Sequence, residues 1–330
     1  MLKNYIRPFG LVLAFSSCGW KSLSVFCTLM LLASCIGGNS SGGGVVENPA
    51  PISCPSGFIP VPHNTEVGTT KDFCVMKYEA KDNGSGGAVS QAAGNPYVSI
   101  DAVASQTKCT DLGANYDLIS NPEWMTIARN AESVSSNWST GTVGTGVMAR
   151  GWAAHATVLP VDPWQNTAIA PSTDPNCLYN TGQDTCASSG DHRYRRTLTL
   201  SNGEVIWDLS GNVWEWVDWE TGGAFTTVPQ EDKAFVSTDV AAVAVWREFT
   251  LLDQYINNGD VMDPLTWQSS NPALNSAHGI GQYYAGTSGG AALRGGRWND
   301  GSNAGAFALN LNSSTTIANS SRGFRCVYRP

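Results

Sequence analysis

The residues able to do chemistry are few, and their spacing excludes more than it permits. Four histidines occur, His63, His155, His192 and His278, and no two lie within four residues of each other, so no local metal-binding pair exists. None of the nine cysteines stands in a C-x-x-C pair, which argues against a zinc ribbon or a redox dithiol. The Gly-rich runs at 84–87 and 286–290 lack a following Lys-Ser/Thr and read as loops rather than phosphate cradles. What remains is oxygen and amide chemistry. Asn212 and Glu215 are oxygen donors beside a turn that Gly211 permits, suited to a calcium ion or to satisfying backbone groups around that turn. In the stretch 306–312, Phe307, Leu309 and Leu311 alternate with Ala308, Asn310 and Asn312. A period of two sends the apolar set into the core and the asparagines outward, as a binding face would require.

The elements that must position these groups can be read from the pattern. Phe73–Glu79 alternates as a strand. A helix is expected from about Asp101 to Leu112. A clearer one spans 121–133, where Ser120 and Glu123 have capping-box spacing, Pro122 sits in the first turn, and Trp124, Ile127, Ala128 and Ala131 make one buried face. Glu204–Trp219 suggests two strands joined near Ser210-Gly211-Asn212, and Trp207, Trp214, Trp216 and Trp219 are large enough to supply core. Leu293–Trp298, Ala306–Asn312 and Gly323–Tyr328 are the last strand candidates. Long loops fill 134–200 and 220–290, with a short helix expected near Val243–Leu252. The order is strand, two helices, loops, then short strands, an α+β layout without regular βαβ alternation or internal repeat.

The first 35 residues are of another kind. Lys3, Arg7 and Lys21 precede an apolar run, Leu23–Ala33, too short to span a bilayer and of the length of a signal-peptide core. It ends in Leu32-Ala33-Ser34-Cys35, which resembles the lipobox of bacterial lipoproteins. Residues 1–34 are then a removed signal, Cys35 the lipidated first residue, and 35–53 a Gly/Ser/Asn-rich tether. Ile36 after the cysteine resembles an outer-membrane sorting signal. Lipid would be the only membrane attachment, leaving 54–330 as one large domain. The net charge is −8 and no basic stripe occurs, so nucleic acid is an unexpected partner. Removing Cys18 and Cys27 with the signal and Cys35 with its lipid leaves six of the nine cysteines. In an oxidising compartment three disulfides are expected, from fifteen connectivities. Cys54–Cys74 and Cys177–Cys186 are favoured as local loops, with Cys109–Cys326 as the long-range staple.

Several segments together resemble the formylglycine-generating-enzyme-like branch of the C-type lectin fold over roughly residues 54–330. They are Phe73-Cys74-Val75-Met76-Lys77-Tyr78-Glu79, Ser120–Trp124 with Ala128-Arg129, Asp208–Trp216, Leu293-Arg294-Gly295-Gly296 and Gly323-Phe324-Arg325-Cys326. Calcium sites near the Asp208–Trp216 motif in that family add to the reading of Asn212 and Glu215 as donors for a structural calcium; no other cofactor is required. The family's oxidases need two cysteines soon after Arg-Gly-Gly. The stretch Arg297–Gly305 has none, and isolated histidines do not supply the iron site of the ergothioneine-synthase type, so no enzyme is expected.

Residues 293–330 further resemble the variable region of the target proteins of diversity-generating retroelements, which share the lectin-like fold. In those proteins, rewriting of adenines scatters asparagine codons among polar types between fixed framework residues. The resemblance makes Arg294, Gly295, Gly296, Trp298, Phe307, Leu309, Leu311, Gly323, Phe324 and Arg325 the framework. The variable, ligand-facing positions within 294–325 would be Arg297, Asn299, Asp300, Ser302, Asn303, Asn310, Asn312, Ser313, Ser314, Thr315, Asn319, Ser320 and Ser321, with Trp298 and loop aromatics adding contact area. The expected function is a lipid-anchored, outer-membrane protein displaying this face to a protein or glycan on another cell, phage or host. A metalloenzyme or maturation factor, and an undiversified envelope lipoprotein, are the alternatives.

Overall fold

The computed structural model describes residues 52–153, 193, 195–218, 246–249, 268–284 and 291–330, all within the unit Ala50–Pro330. The lipidation candidate Cys35, the tether to residue 51, Cys177, Cys186, Trp219 and much of the expected loop stretches lie outside the described residues. In chain order the elements are β1 Phe58–Val61, β2 Phe73–Met76, β3 Lys81–Asp82, β4 Ala88–Val89, α1 Ala102–Thr110, β5 Tyr116–Leu118, α2 Asn121–Glu132, β6 Thr197–Thr199, β7 Val205–Trp207, β8 Trp214–Val217, β9 Trp246–Arg247, β10 Tyr283–Tyr284, β11 Ala291–Arg294, β12 Leu309–Ser313, β13 Arg322–Phe324 and β14 Cys326–Tyr328. This is the expected α+β layout, two helices with several small sheets. Among the described residues no helix is long and apolar enough to cross a membrane.

Both helices start where their side chains can satisfy the first free N–H groups. Asp101 accepts from the Ala104 amide at 2.8 Å and caps α1. Ser120 and Glu123 form the reciprocal capping box of α2, the Glu123 carboxylate accepting from the Ser120 amide at 2.8 Å. Trp124, Ile127, Ala128 and Ala131 are buried as their spacing requires, but so are Met125 and Thr126. Segments from distant parts of the chain enclose the helix. Thr126 meets Thr69 at 2.7 Å, and the Trp124 indole donates to the Ala306 carbonyl at 2.7 Å.

A four-stranded sheet in the order β1-β2-β14-β5 joins the beginning of the domain to its end. Disulfides Cys54–Cys74 and Cys109–Cys326 tie β2 and β14 to their surroundings, in the two pairings expected. All four residues of β2 are buried, so its alternation does not mark a wet face. It lies between β1 and β14, and the strand ends at Met76 rather than at Glu79. The six-stranded sheet runs β13-β8-β11-β12-β10-β9. The two strands expected around Ser210-Gly211-Asn212 exist but do not pair with each other. β7 pairs with β6, and β8 with β11 and β13. Gly211 has φ +77, and a Cβ there would lie 2.6 Å from the Trp152 carbonyl oxygen, so the turn between them excludes a side chain. The helix expected near Val243 is, where described, the strand β9, paired with β10. The arrangement is consistent with the C-type-lectin-like fold.

Between the two main sheets lies a buried group of charges. Arg325 donates to both Glu215 oxygens at 2.6 and 2.5 Å, and to the carbonyls of Met76, Trp207 and Asp208 at 3.2, 3.1 and 3.2 Å. Arg196 clamps Asp208 at 2.5 and 2.6 Å. Burial pushes the Glu79 carboxyl well up, and the Asp208 carboxylate adds to the rise. Asn212 donates to Glu79 at 2.6 Å.

Lys81 sits among these groups with its Nζ buried and without a hydrogen-bond partner among the described residues. Burial pushes its ammonium down to about 8, against the pull of Glu79 and Asp208. A folded-state value below the unfolded one means the native chain holds this proton less tightly. Charged Lys81 therefore costs stability at neutral pH, and the cost fades as pH rises from about 8 through the unfolded value near 10.5. Lys81→Met is expected to match or exceed the native stability at pH 7 in urea melts. It should also lose the gain, of order 3 kcal/mol at 1.36 kcal/mol per pH unit, that Lys81 gives the native chain across that window. A variant that is less stable at pH 7 by more than about 1 kcal/mol would show the ammonium to be net stabilising there.

Candidate binding site

Strand register decides which side chains share a face, because residues directly opposite project the same way. In the six-stranded sheet Trp246 opposes Tyr284, Tyr284 opposes Asn310, Asn310 opposes Leu293, Leu293 opposes Trp216, and Trp216 opposes Phe324. Trp214 and Arg322, also opposed, continue the same face, as does Asn312, two residues on from Asn310. The other face carries Leu309, Leu311, Ala292, Tyr283 and Val217 into the main core. The expected alternation in β12 is thus present, with Leu309 and Leu311 buried and Asn310 and Asn312 half-buried on the opposite side.

On this face lies a cavity of about 350 Å³, within the range of small-ligand sites. Trp214, Trp246 and Tyr284 give it aromatic walls. Asn310, Asn312 and Ser313 come from β12, Asn319 and Ser321 from the loop that follows, Arg297 and Asp300 from the turn after β11, and Arg322 from β13. Trp214 and Trp246 stack with centroids 5.9 Å apart, and Trp246 meets Tyr284 edge-on at 5.2 Å. Such contacts fix the rings without filling the space in front of them.

The polar lining is held by its own hydrogen bonds. The Arg297 amide donates to Asp300 at 3.0 Å and its Nε at 3.3 Å, and a terminal nitrogen donates to Ser321 at 3.3 Å. Burial pushes the Asp300 carboxyl up, and Arg297 opposes that rise. Arg322 donates to Ser313 at 2.9 Å and to the Ile317 carbonyl at 3.2 Å, with its guanidinium 5.2 Å from the centre of the Trp216 ring. Burial, and then the positive charge of Arg297, push the Arg322 guanidinium down. Asn319 accepts from both the amide and the hydroxyl of Ser321, at 2.9 and 2.7 Å, which folds the loop end back on itself.

Seven of the polar positions singled out from sequence, Arg297, Asp300, Asn310, Asn312, Ser313, Asn319 and Ser321, line this cavity. The remaining ones are elsewhere. Asn299 is half-buried, Ser302 and Asn303 occupy a 3-10 turn, and Ser314 and Ser320 are exposed outside the cavity. Thr315 is buried, and its carbonyl accepts from the first amide of α1 at 3.0 Å, so it anchors the helix start. Trp298 is not among the residues that line the cavity. It is 7% exposed and packs with Trp152 and Val213, because a large ring beside the Gly211 turn gains more from burial than from display. The aromatic lining comes instead from Trp246 and Tyr284, with the buried Trp214 stacked on Trp246, and the second cation from Arg322. The alternation Trp214-Glu215-Trp216 and Arg322-Gly323-Phe324 carried a weak signal for two of these. The two-residue strands of Trp246 and Tyr284 carried none.

The framework beneath is closely fitted. Arg294 is fully buried and donates to Asn121 at 3.0 and 2.6 Å and to the Phe307 carbonyl at 2.9 Å. Burial pushes its guanidinium down to about 9. Gly296 has φ +86, and a Cβ there would come 2.5 Å from that of Ala304, so the Arg-Gly-Gly stretch accepts no side chain at its end. Asn212 and Glu215 do not fit the calcium expected of them. The Glu215 carboxylate faces the Arg325 guanidinium, which repels a cation and occupies both of its oxygens, while Asn212 Nδ2 donates to Glu79. Among the described residues no three His, Cys, Asp or Glu converge on a metal position.

No protein-family model and no curated protein matches the chain. Its fold is similar to that of several solved proteins at low identity. The U1 variant of the Major Tropism Determinant is 17% identical with a TM-score of 0.35, covering 85% of this chain and 54% of that one. PvdO from Pseudomonas aeruginosa is 14% identical with a TM-score of 0.32, covering 84% and 92%. Treponema denticola variable protein 1 is 13% identical with a TM-score of 0.31, covering 83% and 92%. The chain spans about half the length of the tropism determinant. Residue roles do not pass from those proteins to this one.

Proposed function

We propose that this protein is a ligand-binding lipoprotein, anchored through Cys35 at the outer membrane and displayed at the cell surface. Its segment 294–325 supplies a binding face that a retroelement varies to suit different protein or glycan ligands. The observation that carries the reading is the division of labour within that segment. Arg294, Gly296, Phe307, Leu309, Leu311, Phe324 and Arg325 are buried framework, while seven polar positions between them line one cavity with aromatic walls. Small polar side chains on a rigid scaffold suit adaptable recognition. The lining offers hydrogen bonds, ring faces and a paired cation, which supports a binding role.

Sequencing the 3′ end of the gene and its downstream flank from many clones tests the reading. Amino-acid variety is expected at Asn310, Asn312, Asn319 and their cavity neighbours. It should be confined to adenine positions, with a second copy of the segment nearby, while the codons for Arg294, Gly296 and Phe324 stay fixed. Invariance throughout 297–321, or equal scatter across framework and cavity codons, would remove diversification from the function.

A further inference from the structure

Resting on that reading of the cavity, we infer that its ligand is an acidic sugar, with the ring laid on the Trp246 and Tyr284 side and its carboxylate received by Arg322 and Arg297. The first ground is charge. Among the described residues the lining holds two guanidinium groups and one carboxylate, and Asp300 already accepts two hydrogen bonds from Arg297. Among the described residues Arg322 forms no ion pair with a carboxylate. Its hydrogen-bond acceptors are the Ser313 hydroxyl and the Ile317 carbonyl. A half-buried guanidinium next to a second one, in a protein of net charge −8, is a place for an anion, and the planar fork matches a carboxylate.

The second ground is the limit on that anion. One surplus positive charge, with the Asp300 carboxylate in the same lining, suits a monoanion and disfavours a phosphate dianion. The third is the rest of the lining. Asn310 and Asn319, whose oxygens already accept from Asn312 and Ser321, present amide N–H donors to ring oxygens, and the half-buried faces of Trp246 and Tyr284 suit the C–H faces of a sugar. A volume of about 350 Å³ takes one or two sugar rings.

The test uses the full chain on an array of immobilised probes. Oligosaccharides ending in glucuronic, galacturonic or sialic acid stand beside their neutral parents, and peptides ending in a free carboxylate stand beside their amides. Binding is expected to an acidic sugar, at least tenfold stronger than to its neutral parent, and to weaken with added salt. Arg322→Gln should reduce it tenfold or more, and so should the more exposed Arg297→Gln, whose thermal midpoint keeps loss of folding apart from loss of recognition. Equal binding of neutral parents, indifference to both substitutions, or capture of acidic peptides alone would overturn the inference and leave a binding cavity standing. Silence against every probe would overturn the inference and the binding reading together.

Discussion

Replacing Arg325 by methionine is expected to destabilise the domain by about 3–5 kcal/mol, among the largest effects of any single substitution. The guanidinium has no exposed surface, and its hydrogen bonds reach residues at least 110 positions earlier in the chain. It neutralises Glu215, whose carboxyl burial pushes upward and Arg325 pulls back. It also satisfies three carbonyls, those of Met76 in β2, Trp207 at the end of β7 and Asp208 just after it. Methionine fills much of the volume but leaves a buried carboxylate and three acceptors unserved. Urea melts of Arg325→Met, Glu215→Leu and the double variant apportion the effect. The double variant should be more stable than Arg325→Met alone, because it removes the stranded charge. Additive losses in the double variant would mean that the carbonyl bonds of Arg325 and its place 5.9 Å from the centre of the Trp124 ring outweigh the ion pair.

Removing the Cys109–Cys326 bridge by a double serine substitution is expected to cost about 5 kcal/mol, against about 3 kcal/mol for Cys54–Cys74. Loop-closure entropy grows with the residues enclosed, which are separated by 217 and 20 positions. The longer bridge holds α1 to β14, and β14 is the central strand that unites β2 with β5. Thermal melts of the two double variants under oxidising conditions decide the order. A larger loss from Cys54–Cys74 would show that the unfolded chain is not the state these bridges chiefly restrain.

What could be read in the sequence was local or periodic. The capping box of Ser120 and Glu123, the face of α2 and the split of β12 into leucines and asparagines each follow from spacing within a few residues. The two described disulfides followed from elimination and loop length. What could not be read depends on partners far away in the chain. Glu215 presents as a free oxygen donor until Arg325, 110 residues later, is seen against it. The strand order β13-β8-β11-β12-β10-β9 is hidden because β9 and β10 are two residues each and have no period to detect. Trp298 offers no sign in its own neighbourhood that Trp152 and Val213 will receive it. The cavity was therefore legible as a set of polar positions, whereas its aromatic walls and its second arginine needed the sheet.

Beta strand β12 places its two kinds of residue on alternate sides, which separates what a lineage can change there from how. Any exchange of Asn310 or Asn312 leaves the leucines where they were. The loss or gain of one codon between 309 and 313 would turn the whole strand over, sending leucines to the ligand and asparagines into the core. Heritable variety in this strand must therefore come by spelling and never by length.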